Sequence, residues 1–263
     1  QISQVLFYGA GTECPWAVAN VNGDLFYRSQ DGWRTLKHTA QAAVEAKNAG
    51  VDVSMATNGR LMDATTADTM MPVMSWMRFS VQGGTPQSYA YLHGTNQDSF
   101  HITFKNLEYA CKLRDILHLP CSVGVLTCLM PGNQNEAPLI AQMAKDAGAN
   151  YYTVRPPSVN PTRPLDCPVW DMDSLTEQLD ATEALADDRF HVIVRRNLFG
   201  DQEARAYKKC LGLPFLTQVD GNGGVYACGV FVGDPDYCYG NLNELSFEEI
   251  WNSPQRKTVM NRI

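Results

Sequence analysis

Short apolar runs rich in β-branched and aromatic residues alternate along this chain with longer stretches whose apolar positions recur every three or four residues. The runs predict strands at about 4–9, 51–57, 76–82, 121–128 and 150–155. The intervening stretches predict helices at 33–49, 63–73, 86–92, 98–117, 136–147 and 172–187. Repeated strand–helix alternation implies parallel strands covered by helices, an α/β architecture of barrel or doubly wound type. Glycine-rich or polar residues follow the predicted strands: GAGTE, TNG, QGG and RPP. At the carboxyl ends of parallel strands such residues either turn the chain or line a site.

The pattern changes in the last quarter. Residues 157–171 are proline-rich and read as an irregular connection, and the segment 197–209 leads into turn-rich β sequence with three cysteines. A hairpin turning at Asp220 to Gly224 and one short amphipathic helix, SFEEIWNSPQRKTVMNRI, complete a second, smaller module. We therefore expect two domains, 1–196 and 197–263. An Asn22-Gly23 pair marks a further hairpin within 14–28, read as an insertion.

Composition narrows the function classes. A net charge of −7 with no basic stripe argues against a nucleic-acid partner. No apolar run is long enough to span a bilayer and no signal peptide is visible, so no membrane partner is expected and a cytoplasmic protein is. The eight cysteines favour thiols or metal ligands over a disulfide framework. Cys111, Cys121 and Cys128 sit in apolar elements and read as small core residues. His93, His101 and His118 read as surface or packing residues, as do Ile250 and Trp251.

Three of the remaining five, Cys210, Cys228 and Cys238, lie in the turn-rich C-terminal module. Turns at 220–224 and 233–236 return the chain so that all three can approach one point, as ligands of an iron–sulfur cluster. A zinc site or buried structural thiols are the alternatives.

The succession GAGTE (9–13), VDVSMATNG (51–59), MRFSVQGG (77–84) with SYAYLHG (88–94), VGVLTCLMPGNQNE (123–136) and GANYYTVRP (148–156) resembles the radical S-adenosylmethionine (radical SAM) core from its second strand to its sixth. Residues 210–261 resemble the SPASM/twitch family of auxiliary iron–sulfur domains. The resemblance implies a partial (β/α) barrel of the TIM type without its first strand, followed by a cluster-binding module. It implies S-adenosylmethionine and [4Fe–4S] clusters as cofactors, an electron donor such as flavodoxin or ferredoxin, and an oxidoreductase acting on a peptide or small molecule. Gly9, Gly11 and Glu13 are then cofactor-binding residues facing the methionine amino group. Asn58, Ser80 and Gln82 are placed toward ribose, carboxylate or substrate, and Gln82 stands where the family often has Asp. Arg155, near the end of a predicted strand, either pairs a carboxylate of cofactor or substrate or makes a structural salt bridge.

The CxxxCxxC loop that holds the catalytic cluster in that family is not among the 263 residues. The start on a strand without Met and the stop after a helical pattern lead us to expect that a segment carrying it has been omitted. The alternative is an inactive, radical SAM-like partner or binding subunit. A metal-free α/β-barrel enzyme binding phosphate is a third reading, which lacks a phosphate-loop motif.

Overall fold

Strand pairing in the computed structural model follows the periodicity, with differences at both ends of the chain. The structure describes residues 17–19, 25–29, 32–36, 39–158, 170–199 and 210–263, with side chains from Ala40 onward. The expected strand at 4–9, the residues Gly9, Gly11, Glu13 and Cys14, the Asn22-Gly23 turn and Cys167 lie outside these. The described residues fall into two units: 53–157 with 170–199, and the remainder.

In the second of these units β1 (Ala17–Ala19), β2 (Leu25–Ser29) and β3 (Gly32–Leu36) form an antiparallel sheet. The expected hairpin is present as β1 and β2. Its neighbour corrects the helix expected at 33–49: residues 32–36 are strand, and helix α1 spans Thr39–Asn48. Residues 32–36 pair in register with 25–29, so their backbone groups are satisfied by β2.

The first unit is built on five parallel strands: β4 (Val53–Thr57), β5 (Met74–Ser80), β6 (Ser122–Cys128), β7 (Tyr151–Arg155) and β8 (His191–Val194). Between them run α2 (Ala64–Met70), α3 (Pro86–His93), α4 (Asp98–Ile116), α5 (Ala137–Asp146) and α6 (Met172–Glu183). Spatial order equals chain order, β4-β5-β6-β7-β8. With right-handed crossovers, an order that never reverses places the helices on one face of the sheet, the arrangement of a barrel rather than a doubly wound sheet. β8 is a strand that the sequence reading left unassigned, because its four residues are too few to show a period.

Burial agrees with a one-sided cover. Met77, Phe79, Val123, Val125, Tyr152 and Val154, on one face, are fully buried. On the other face Trp76, Arg78, Ser80, Cys128, Tyr151 and Arg155 are only half-buried. This half-open face carries the candidate residues.

In the C-terminal part, β9 (Gln218–Val219), β10 (Gly224–Tyr226) and β11 (Cys238–Asn241) make a small antiparallel sheet, followed by α7 (Phe247–Trp251) and α8 (Pro254–Arg262). Two helices replace the single one expected. Pro254 has no N–H to continue α7, and Ser253 caps the new start by accepting a hydrogen bond from the Arg256 N–H at 3.1 Å. Leu213, Val225, Ala227, Tyr239, Leu242, Ile250 and Val259 form the core of this part. Ile250 is wholly buried and Trp251 lies against that core beneath Arg256, whose guanidinium carbon is 3.6 Å from the indole centroid. Both are packing residues, as expected.

Candidate functional site

Register places the candidates in rows across the half-open face, because in-register residues of parallel neighbours point the same way. One row runs Ala56, Arg78, Gly124, Tyr151 and His191. The row nearer the carboxyl ends contains Ser80, Leu126, Thr153 and Ile193, with Asn58 one residue beyond β4. Cys128 and Arg155 pair in the row beyond that. Gln82 joins them, its side-chain oxygen accepting from the Cys128 N–H at 2.7 Å. Asn58, Ser80, Gln82 and Arg155 therefore gather at one end of one sheet face. Glu13, Gly9 and Gly11 fall outside the described residues.

The loops that carry these residues are fixed by hydrogen bonds from distant parts of the chain. After β4 the chain turns at Gly59 with φ +74°, where a Cβ would lie 2.3 Å from Phe79 Cδ1. Asn106 Nδ2 donates to the Gly59 and Arg60 carbonyls at 2.8 and 3.2 Å, and Thr103 Oγ1 donates to the Asn58 carbonyl at 3.1 Å. The Asn58 side chain accepts from the Arg60 N–H at 3.2 Å, an Asx-type turn. Its loop is thereby held by α4.

The turn after β5 is tied more tightly. Gln82 donates its N–H to His93 Nε2 at 3.0 Å, and its carbonyl accepts from Asn133 Nδ2 at 2.7 Å. Asn133 is wholly buried and also donates to the Cys128 carbonyl at 3.0 Å, joining the ends of β5 and β6. His93 stacks on Tyr89 at 4.0 Å, and burial pushes its pKa down to about 4. It is a neutral imidazole that accepts at Nε2, as that hydrogen bond requires. Glu136 closes the turn by accepting from the Gly84 N–H and from Ser88 Oγ, each at 2.7 Å. Gly83 has no room for a side chain, since a Cβ would lie 2.2 Å from the Tyr89 nitrogen.

These contacts decide what each residue can offer. The Gln82 carbonyl-type oxygen is engaged, so its free chemistry is the Nε2 donor. Ser80 keeps its hydroxyl unengaged by described residues. Cys128 is raised above the usual thiol range by burial, with Arg155 and Arg78 opposing. Cys111 and Cys121 are core residues, and burial lifts their thiols to about 12 and about 11. At the opposite, amino-terminal end of the sheet lies an open cavity of about 710 Å³ lined by Arg114, Asn150 and Arg189 among others. Arg114 is spent there on structure, donating to Asn150 Oδ1 and the Gly148 carbonyl and pairing with Asp115.

The sequence reading missed Glu136, Asn133 and the role of His93, which fix the site without belonging to it. Glu136 and His93 stand inside fragments that already drew attention, NQNE and YLHG, but no local pattern shows that their partners are 52 and 11 residues away.

In the C-terminal part, Cys210 is exposed ahead of the turn at Leu213–Phe215, Cys228 packs against the core, and Cys238 opens β11 with its thiol donating to the Gly240 carbonyl at 3.3 Å. The expected turn at 220–224 is present: Asp220 donates its N–H to the Gly224 carbonyl, and its carboxylate accepts from the Asn222 and Gly224 N–H groups. Cys210, however, precedes β9 instead of lying on it. Among the described residues no three His, Cys, Asp or Glu side chains are gathered as a metal site. The thiols have the right chemistry for an iron–sulfur cluster but are not drawn into one ligand group.

Residues 210–262 match the SPASM family, an iron–sulfur cluster-binding domain. No curated protein matches the chain in sequence. Among solved structures, Streptococcus suis SuiB bound to S-adenosylmethionine aligns at TM-score 0.60 and 12% identity, over 84% of this chain and 53% of SuiB. SuiB bound to the precursor peptide SuiA aligns at TM-score 0.61 and 12% identity, over 85% and 53%. The anSMEcpe protein with bound AdoMet and a peptide aligns at TM-score 0.51 and 12% identity, over 84% and 65%. The chain spans about half the length of SuiB. At such identities the likeness is one of fold, and it covers the parallel sheet together with the C-terminal part. The chain is thus a protein of radical SAM/SPASM fold, with a SPASM domain at residues 210–262.

Proposed function

We propose that this chain supplies the cofactor- and substrate-holding part of a radical SAM oxidoreductase that abstracts hydrogen from a peptide or small-molecule substrate. The observation that carries the reading is the gathering of Asn58, Ser80, Gln82 and Arg155 at the carboxyl end of one half-open sheet face. S-adenosylmethionine, when bound to a reduced [4Fe–4S] cluster, supplies a 5′-deoxyadenosyl radical able to attack unactivated carbon. The residues of this chain bind and orient. Ser80 and the Gln82 Nε2 offer hydrogen bonds to the ribose or carboxylate, Arg155 offers a cation to a carboxylate, and Asn58 borders the same face. Gly9, Gly11 and Glu13 are assigned to the methionine amino group. Peptide is the favoured substrate class, since SuiB and anSMEcpe are both structures with a bound peptide.

No residue here fits the catalytic cluster, because CxxxCxxC is absent from the 263 residues. Cys210, Cys228 and Cys238 are assigned to an auxiliary cluster in a domain spanning 197–263, beside a radical SAM portion spanning 1–196. Reduction would come from a flavodoxin or ferredoxin. The alternative reading is a partner subunit that binds cofactor or substrate without catalysis.

Anaerobic reconstitution with iron and sulfide should give charge-transfer absorption and bound iron that the combined replacement of Cys210, Cys228 and Cys238 by alanine abolishes. Zinc in place of iron, or iron unchanged in the triple variant, overturns the cluster assignment. S-adenosylmethionine affinity by calorimetry should fall about tenfold in Ser80→Ala, the loss that one or two good hydrogen bonds explain. Unchanged affinity removes Ser80 from the site. Formation of 5′-deoxyadenosine with a reductant by the natural full-length protein separates the enzyme from the partner subunit.

A further inference from the structure

An arginine within a parallel strand is costly unless its guanidinium finds hydrogen-bond partners. Arg78 has none. It is half-buried in β5, its Nε is sealed from solvent without a hydrogen bond, and no described acid pairs with it. The indole of Trp76 lies close to it, with the ring centroid 5.1 Å from the guanidinium carbon. A cation over an aromatic face leaves the N–H edge of the guanidinium free.

Across the sheet from Arg78 the register runs to Gly124 and then to Tyr151. Gly124 sits between two large side chains for a reason: a Cβ there would lie 2.2 Å from Tyr151 Cζ and 2.3 Å from Cε2. Those atoms belong to the hydroxyl end of the ring. The phenol has therefore crossed from β7 over β6, on the face that Arg78 shares. The Tyr151 hydroxyl likewise makes no hydrogen bond to a described residue. Two unengaged donors, one cationic and one neutral, thus converge from opposite sides of a glycine gap on the half-open face, one row below Ser80.

We propose that Arg78 and Tyr151 form a subsite that grips a carboxylate of the substrate, with the guanidinium edge binding its two oxygens and the phenol donating to one of them. A planar fork matches a planar carboxylate, and a single positive charge with a neutral donor suits a monoanion. The proposal rests on the reading of this face as substrate-binding and adds the class of group recognised: an acidic side chain or a peptide C-terminus.

The test titrates the full chain, without iron or S-adenosylmethionine, with three blocked tripeptides: Ac-Ala-Glu-Ala-amide, Ac-Ala-Gln-Ala-amide and Ac-Ala-Ala-Ala with a free C-terminus. Trp76 lies against Arg78 and reports occupancy by fluorescence, with Trp76→Phe as the silent control. One of the two carboxylate peptides should bind at least about tenfold tighter than the Gln peptide, the worth of a charge-assisted bidentate pair. Which of them does so identifies side chain or C-terminus. Arg78→Gln should erase the preference and Tyr151→Phe should reduce it a few-fold. Should Arg78→Gln fail to fold, Arg78→Lys, which keeps the charge but loses the fork, should still lower the preference several-fold. Equal binding of all three peptides, no binding of any, or a preference that survives loss of Arg78 overturns the proposal. Because no radical chemistry is read, failure here leaves the oxidoreductase reading standing, and absence of 5′-deoxyadenosine leaves the subsite standing.

Discussion

The carboxyl end of the parallel sheet and the cysteine-bearing C-terminal part solve the problem of placing polar groups in opposite ways. Around β5 and β6 every turn is held by protein: His93, Asn133 and Glu136 reach from other elements to specific backbone groups. Such loops are set before any ligand arrives, which is how binding avoids an ordering cost. Around Cys210, Cys228 and Cys238 the turns are held by local Asx bonds of Asp220 and Asp234, and the thiols are not gathered. With a core of seven buried residues, this part has little apolar area with which to fix them. Under the proposed cluster assignment the ligand would complete the geometry, since cluster binding and ordering share one free energy. Protein-made geometry is rigid and local to each hydrogen bond; ligand-made geometry depends on loading.

Three substitutions probe that contrast, beginning with the most disruptive. Gly83→Ala should cost about 4 kcal/mol or more, because the added Cβ meets backbone at 2.2 Å and not a flexible side chain. Chemical denaturation should show it, and hydrogen exchange should place the damage at 80–93. A loss below about 1 kcal/mol would mean that this turn is not rigid. Ile250→Ala empties a fully buried position in the C-terminal core and should cost about 3 kcal/mol, read as faster exchange at 225–242. If it costs nothing, that core does not hold the cysteine loops.

His93 gives the smallest effect and a pH signature. Its folded pKa of about 4 lies below the ordinary value of 6.5, so between these values the unfolded chain binds the extra proton. The contribution is complete above about pH 6.5 and is lost as pH falls toward 4, on the order of 2 kcal/mol once the partial exposure of the ring is allowed for. His93→Gln keeps an acceptor for the Gln82 N–H but does not titrate in this range. It should flatten the slope of stability against pH between 4 and 6.5, and an unaltered slope would show that His93 is not buried neutral.

Much of this was legible along the chain. The strands at 51–57, 76–82, 121–128 and 150–155 and the helices between them announce themselves because a half-covered strand and an amphipathic helix impose different periods on the same alphabet. The shared placement of Asn58, Ser80, Gln82 and Arg155 is legible because residues at the ends of parallel strands arrive at one rim. Errors came where a period had no length to show itself. Residues 32–36 are a strand where the pattern predicts helix, β8 has only four residues, and Pro254 begins a helix where the pattern predicts the interior of one.

The sequence by itself determined the class of fold, the succession of its elements and the residues available at strand ends, because those follow from local period and turn chemistry. Tertiary structure alone decided which polar groups are spent and which remain. Glu136 meets Gly84 across 52 residues, and Asn133 meets Gln82 across 51. Arg78 is left facing Tyr151 over Gly124 because three strands fall into register. Hydrogen-bond partnership depends on distance in space, and no local pattern encodes a contact between residues that only the completed sheet brings together.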